Sequence, residues 1–244
     1  MAHLLIVKAG DAFPEVIDAH GDFEALFQCQ LETALPPGLT LQVFDAPRES
    51  TLPELSSLAG LVITGSHSMV SAEEPWSEAL KPWLVEALER DIPMLGVCYG
   101  HQLMASAFGG ISDYHPAGRE SGTRQVMLSE EAQDDALLGE LPQLFYAHLT
   151  HAQSVLTPPK NARILAGNKH DPHQALRYGP HQWSVQFHPE FTVSVMHAYL
   201  ERQRSALRDQ GEDPQVLMDA VRATPEATAL LARFVALLRV TPVS

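Results

Sequence analysis

Short apolar runs alternate with longer stretches of helical spacing through the first half of the chain. "LLIVKA", "LTLQVFDA", "LAGLVITGS" and "IPMLGV" read as strands, the second entered through the turn "LPPG". Between them, "DFEALFQCQLETAL" repeats apolar residues at helical spacing and puts Phe23, Leu26, Phe27 and Leu31 on one side. "PWSEALKPWLVEALERD" predicts a second helix, kinked or started late by Pro82, and "GHQLMASAFGG" a third, closed by glycines. Strands and helices in this alternation predict an α/β fold whose largely parallel, Rossmann-like sheet is covered on both faces.

The middle of the chain changes character. "TRQVMLS", "QLFYAHLTH", "ARILAGN", "HQALRYG" and "HQWSVQFH" read as short strands joined by turns, a partly antiparallel extension of the same sheet. Beyond Glu190 the pattern is helical: "SVMHAYLERQRSALRDQ", "DPQVLMDAVRA" and "PEATALLARFVALLR", the last two opened by Asp213-Pro214 and Thr224-Pro225. We expect one domain over residues 1–244, with 191–244 as a C-terminal helical extension.

Hydrophobic residues make up 45% of the 244, enough for a packed core. The formal net charge of −14 argues against nucleic acid as a direct ligand, because phosphate binding needs a basic surface. The N-terminal stretch lacks the pattern of a signal peptide, and no apolar run is long enough to span a bilayer. Two cysteines, Cys29 and Cys98, make no disulfide framework, so a reduced, cytoplasmic protein is expected, with Cys29 in the core beside Phe27 and Leu31.

The candidate chemistry begins at Cys98. In "GVCYGHQ" it stands between Gly96 and Gly100, where a buried strand turns into a helix. That is the pattern of a nucleophile elbow, whose tight turn needs small neighbours. The helix N-terminus favours a thiolate, and the backbone N–H of Tyr99 points where an oxyanion would form. Gln102, one helical turn on, rises on the same side. Alone, the turn is equally compatible with a small buried thiol. In "SVQFHPEF", His188 and Glu190 end an apolar strand two residues apart, so both would project from one face. Glu190 could then orient His188, and His188 could exchange a proton with Cys98.

Together "GVCYGHQLMASAFGG" and "VQFHPEF" resemble the class I glutamine amidotransferases, the Cys-His-Glu family. Within it the chain is most similar to stand-alone members that look like the amidotransferase domain of GMP synthase. The resemblance spans about the first four-fifths of the chain. It implies that Cys98 attacks a glutamine side-chain amide to leave a γ-glutamyl thioester. His188 would protonate the leaving ammonia and Glu190 would orient His188. It implies a second oxyanion donor in "VITGSHSMV", the N–H of Ser66 beside Gly65, where the family often has Gly-Gly-Pro. It implies a glutamine-binding segment at Thr150-His151-Ala152-Gln153, where the family often has Ser-His-x-Asp, and it places "GRESGT" near the pocket mouth. Substrate-binding candidates are therefore Gly65, Gln102, His151 and Gln153.

Other features change the picture less. The 12 histidines include His148-x-x-His151 and His170-x-x-His173, which lack the companions and spacing of a zinc site. They read as surface or pocket histidines, and His67 and His101 as polar loop residues flanking the site. Met69, Trp76 and Trp83 read as packing residues. Glu130, Glu131, Asp134 and Asp135 read as a solvated acidic face. No Walker loop or dinucleotide fingerprint occurs, so neither a cofactor nor a metal is expected. No synthetase domain follows the motifs, so an ammonia acceptor is expected on a separate chain. Two other functions stay open: a γ-glutamyl peptidase using the same three residues, and a binding or regulatory module inactive without its partner. A cysteine α/β-hydrolase fits less well, since its acidic residue usually precedes the histidine.

Overall fold

A computed structural model of the protein describes residues 2–238. Arg239, the end of the last expected helix, and the close of the expected domain at 240–244 lie outside the described residues. The strands are β1 (Ala2–Lys8), β2 (Leu39–Asp45), β3 (Leu58–Ile63), β4 (Met94–Val97), β5 (Ile111–Tyr114), β6 (Glu120–Leu128), β7 (Leu144–His151), β8 (Gln153–Thr157), β9 (Arg163–Gly167), β10 (Ala175–Gly179) and β11 (Gln182–Val185). The helices are α1 (Pro14–His20), α2 (Phe23–Leu31), α3 (Pro75–Glu89), α4 (Tyr99–Ala107), α5 (Val193–Arg202), α6 (Arg204–Asp209), α7 (Pro214–Asp219) and α8 (Pro225–Ala236).

Nine strands form one sheet in the order β2-β1-β3-β4-β11-β10-β9-β6-β7. Pairing is parallel from β2 through β11 and antiparallel from β11 to β7. The parallel sheet with an antiparallel extension is the architecture expected from the pattern. The chain adds three elements that the pattern did not mark. Helix α1 precedes α2, and β5 pairs with β8 in a separate two-stranded sheet.

Alternation along β1 explains the layering. Leu4 and Ile6 point to one face, where they meet Phe27 and Leu31 of α2 and Leu230 and Phe234 of α8. Leu5 and Val7 point to the other, against Leu80 and Leu84 of α3 and Leu103 and Met104 of α4. Both faces of the central strands are dry, which is why these strands read as unbroken apolar runs. Helix α3 starts at Pro75, where a missing N–H costs nothing, and continues through Pro82, which sits on its exposed side. The segment expected as one helix after Glu190 is divided into α5 and α6 at Gln203. Helices α5 and α7 pack Tyr199, Leu200 and Leu217 against Val16 and Phe23, beside the C-terminal edge of the parallel strands. No helix among the described residues is long and apolar enough to cross a membrane.

Two expectations are corrected. Cys29 is exposed. The buried stripe of α2 runs through Phe23, Leu26, Phe27 and Leu31, and Cys29, two residues past Phe27, falls on the opposite side. In the acidic run, Glu130, Glu131 and Asp134 are solvated but Asp135 is buried. Its Oδ1 accepts the N–H groups of Leu137 and Leu138, both at 2.9 Å. Its Oδ2 accepts Trp183 Nε1 at 3.1 Å and Arg177 Nη1 at 3.2 Å, tying the segment after β6 to β10 and β11. Removing this carboxylate leaves buried donors without an acceptor, a loss of about 3 kcal/mol. Asp135→Ala is therefore expected to lower the unfolding free energy by that amount in urea titrations. Asp134→Ala, on the solvated side, should stay within about 0.5 kcal/mol of the parent protein.

Candidate active site

Cys98 lies between β4 and α4 with φ 52° and ψ −98°, a left-handed conformation in a residue that has a side chain. Holding it costs about 1–3 kcal/mol and requires the surroundings to over-determine it. They do so by contact. A Cβ at Gly96 would stand 2.6 Å from the carbonyl oxygen of Gly100, and one at Gly100 would stand 2.6 Å from that of Ile63. The turn is stitched on both flanks, Cys98 N–H to Val185 O at 2.9 Å and Gly100 N–H to Thr64 O at 3.2 Å. At the start of α4 the first N–H groups, that of Tyr99 included, have no partner within the helix. The Tyr99 ring points the other way, into the core, where its hydroxyl bonds Ser77 Oγ at 2.6 Å and its face stacks on Trp76.

His188 and Glu190 come from the segment after β11. That strand ends at Val185, so the two residues sit on an irregular turn and not on a strand face. The turn brings them together nevertheless, with His188 Nδ1 2.7 Å from Glu190 Oε1 and both side chains almost wholly buried. His188 N–H donates to His148 O at 2.9 Å, and its ring stacks on Phe191 at 4.1 Å. Gly65 closes the arrangement. A Cβ there would be 2.9 Å from His188 Cε1 and 3.7 Å from Cys98 Cβ, so histidine and cysteine converge on the space that this glycine leaves free. His188 Nε2 is buried, and hydrogen bonding to Cys98 stands beside that to Glu190 among the causes that act on the ring. Burial alone would lower the His188 pKa. The charges of Glu190 and of a Cys98 thiolate overcome that and push it up to about 10.

The thiol borders a cavity of about 120 Å³. Ser66, Gln102, His151 and Gln153 line it, and their polar groups are largely engaged. Gln102 Nε2 donates to Gln153 O at 2.7 Å and Gln186 Oε1 at 3.0 Å, so this side chain ties α4 to β8 and to the turn after β11. His151 Nδ1 meets Gln153 O at 2.9 Å and its Nε2 meets Glu120 Oε2 at 3.1 Å. The Gln153 amide is hydrogen-bonded to Ser71. Ser66 Oγ accepts the N–H of Ser68 at 3.0 Å.

Thr150 of the expected glutamine-binding segment, Arg119 and the flanking His67 also line the wall, together with Phe13, Met69 and Gln203, which were not singled out as site candidates. Met69, expected to pack, lines the cavity wall and belongs to none of the buried hydrophobic clusters among the described residues. Arg119 belongs to "GRESGT", the stretch expected at the pocket mouth. Gln203 had no signal, since it reads as one more polar residue in a helix. It is buried, and its Nε2 donates to Thr150 Oγ1 at 3.0 Å. His67 stacks on Phe13 at 4.0 Å. His101 is no loop residue. It is wholly buried on α4, bonded to Ser184 Oγ at 2.7 Å, and burial pushes its pKa down to about 3, so it is neutral. Among the described residues no group of three or more His, Cys, Asp or Glu is placed to hold a metal ion.

The glutamine amidotransferase class-I family model matches residues 16–205. The chain is 30% identical over 176 residues to a glutamine-hydrolyzing GMP synthase of Aeropyrum pernix, an alignment that covers 72% of this chain and 32% of the relative. It is also 30% identical over 176 residues to a glutamine-hydrolyzing GMP synthase subunit of Methanopyrus kandleri, covering 72% of this chain and 87% of the relative. The chain thus spans about a third of the length of the Aeropyrum protein and most of the Methanopyrus one. The crystal structure of a glutamine amidotransferase from Thermotoga maritima superposes with a TM-score of 0.71 over 96% of each chain at 20% identity, a likeness of fold.

A histidine whose pKa is raised stabilises the folded state through its charged form. That contribution is complete below the ordinary value of 6.5 and is lost as the pH rises through about 10. In NMR titrations the His188 imidazole is expected to keep its proton to about pH 10. Glu190→Gln should bring the midpoint down by about one unit or more. An unmoved midpoint would mean that the carboxylate is not what holds the proton.

Proposed function

Because the chain belongs to the glutamine amidotransferase class-I family, we propose that it hydrolyses a γ-glutamyl amide, with glutamine as the substrate, through a thioester at Cys98. The observation that carries this reading is the convergence of Cys98 and the His188–Glu190 pair on the space beside Gly65, at the border of one cavity.

The thiolate sulfur attacks the γ-carbonyl carbon. The oxygen gains negative charge facing the N–H of Tyr99 at the start of α4, with the N–H of Ser66 as second donor. His188, held protonated, gives its Nε2 proton to the nitrogen as the C–N bond breaks, and ammonia leaves. The neutral imidazole then takes a proton from water, which attacks the thioester to release glutamate and restore the thiol. Glu190 fixes the ring through Nδ1, so that Nε2 is the nitrogen exchanging protons. The Gln102 bridge and the His151–Gln153 contact hold the substrate wall in position. The Methanopyrus relative, one subunit of a GMP synthase, supports delivery of the ammonia to an acceptor on a separate synthetase chain. The two unpaired cysteines fit a reducing compartment, and we place the reaction in the cytoplasm.

Cys98→Ala should abolish glutamine-dependent ammonia release while circular dichroism and the melting temperature stay near those of the parent protein. His188→Ala should reduce turnover by about 100-fold or more, as loss of a general acid and base does. Ammonia release by Cys98→Ala at the parent rate would remove this reading.

A further inference from the structure

A second cavity, of about 730 Å³, lies behind the His188–Glu190 pair. His148 and Phe191 belong to its wall. His148 O accepts the N–H of His188 at 2.9 Å, and Phe191 stacks on the His188 ring at 4.1 Å. This cavity shares no lining residue with the one at the thiol, so the proposed hydrolysis of glutamine leaves it unused. Its volume is that of a small-molecule site.

Thr192, Val193 and Ser194 on its wall are exposed, whereas His148 and Thr224 are 0% and 4% exposed. His148 Nε2 and Thr224 Oγ1 are both buried and have no hydrogen-bond partner among the described residues. Native folds rarely leave such groups unpaired, because each one costs free energy. Thr224 is the N-cap of α8 yet makes no side-chain cap bond, although a capping threonine ordinarily accepts one of the first N–H groups. The first turn of α5, at Val193 and Ser194, borders the same cavity. Two helix N-termini, each with N–H groups unpaired within the helix and partial positive charge, therefore meet at one space. No Asp, Glu, Lys or Arg among the described residues lines it, in a chain with 30 acidic residues. His148 is neutral, since burial, reinforced by the charges of His188 and His197, pushes its pKa down to about 4. Its Nδ1 lies 3.1 Å from Thr123 Oγ1. With Nδ1 accepting that hydroxyl, Nε2 carries the proton and is a donor.

We infer that this cavity is a binding site for a small organic monocarboxylate with an apolar body, held by His148 Nε2, the Thr224 hydroxyl and the starts of α5 and α8. These neutral donors and helix N-termini suit a single negative charge. Without a lysine or arginine in the wall they do not balance a phosphate dianion. Phe191, Val193, Ala223 and Pro225 make the rest of the wall apolar, which suits a hydrocarbon body. A molecule bound there lies against both residues that hold His188, on the side away from the thiol cavity.

The test titrates the purified full chain with benzoate and hexanoate. Benzamide and hexanamide, which lack the charge, and inorganic phosphate, which lacks the body, run beside them. Binding is read from the imidazole NMR signals of His148 and His197, so the result does not depend on glutamine turnover. At least one carboxylate is expected to shift these signals to saturation, with a Kd at least about tenfold tighter than its amide, the range of a hydrogen bond to a charged group. Phosphate should leave them unmoved. Thr224→Val should weaken that carboxylate by about tenfold. Its melting temperature should stay at or above the parent's, because the lost hydroxyl bonds nothing in the fold. His148→Phe, read at His197, should weaken binding likewise and is the second variant. Four results would each overturn the inference: no saturation by either carboxylate, amides that bind as tightly, tighter binding of phosphate, or parent affinity in both variants. Ammonia release from glutamine is measured separately, so a failure of the hydrolysis reading and a failure of this one are told apart.

Discussion

The pairing of β4 with β11 is the constraint on which the rest of the site depends. The two strands run parallel, with Val97 opposite Val185, so the residues that follow both emerge at the same edge of the sheet. The hydrogen bond from Cys98 N–H to Val185 O extends the ladder one step into the turn. A slip of one residue would turn Cys98 toward the opposite face and remove it from His188. Buried apolar side chains on both faces, Val97 and Val185 on one and Met94 on the other, hold the register and hence the chemistry.

Strain is stored where this ladder ends. Cys98 adopts a positive φ because Gly96, Gly100 and Ile63 approach too closely for another path of the chain. The fold balances that strain by packing α4 against both the sheet and α3. The consequence is directional. The thiol borders the cavity, while the N–H of Gly100 in the first turn of α4 is taken by Thr64 O. Gly65 completes the geometry by an absence, since any side chain there would collide with the His188 ring.

The polar groups near the site form two populations. Gln102, His151, Gln153 and Glu120 hydrogen-bond to one another or to nearby backbone, and they hold α4, β6 and β8 together. Arg119 and Lys169 remain without ionic partners among the described residues. In a protein so acidic overall, acid partners for two cations are not scarce. Their isolation beside a chamber is a local property, produced by saturating Glu120 with three other groups. This contrast separates groups tied into the wall by hydrogen bonds from cations that stand beside the chamber without an ionic partner among the described residues.

Much was legible in the sequence because it is local. Apolar runs marked β1 to β4, and Gly-x-Cys-x-Gly marked the elbow, since a tight turn between strand and helix demands small neighbours wherever it occurs. His188 and Glu190 were legible as a pair, but by the wrong local geometry: a turn, and not strand alternation, joins them. What tertiary structure alone decided is which distant segments meet. Asp135 reads like its acidic neighbours until Trp183 and Arg177 close over it. Cys29 reads as core beside Phe27 until the rotation of α2 turns it to solvent. Gln203 and Phe13 carry no local mark of the cavity they line. Periodicity reports how one segment meets water, whereas a wall built from several separate segments exists only once the sheet has brought them together.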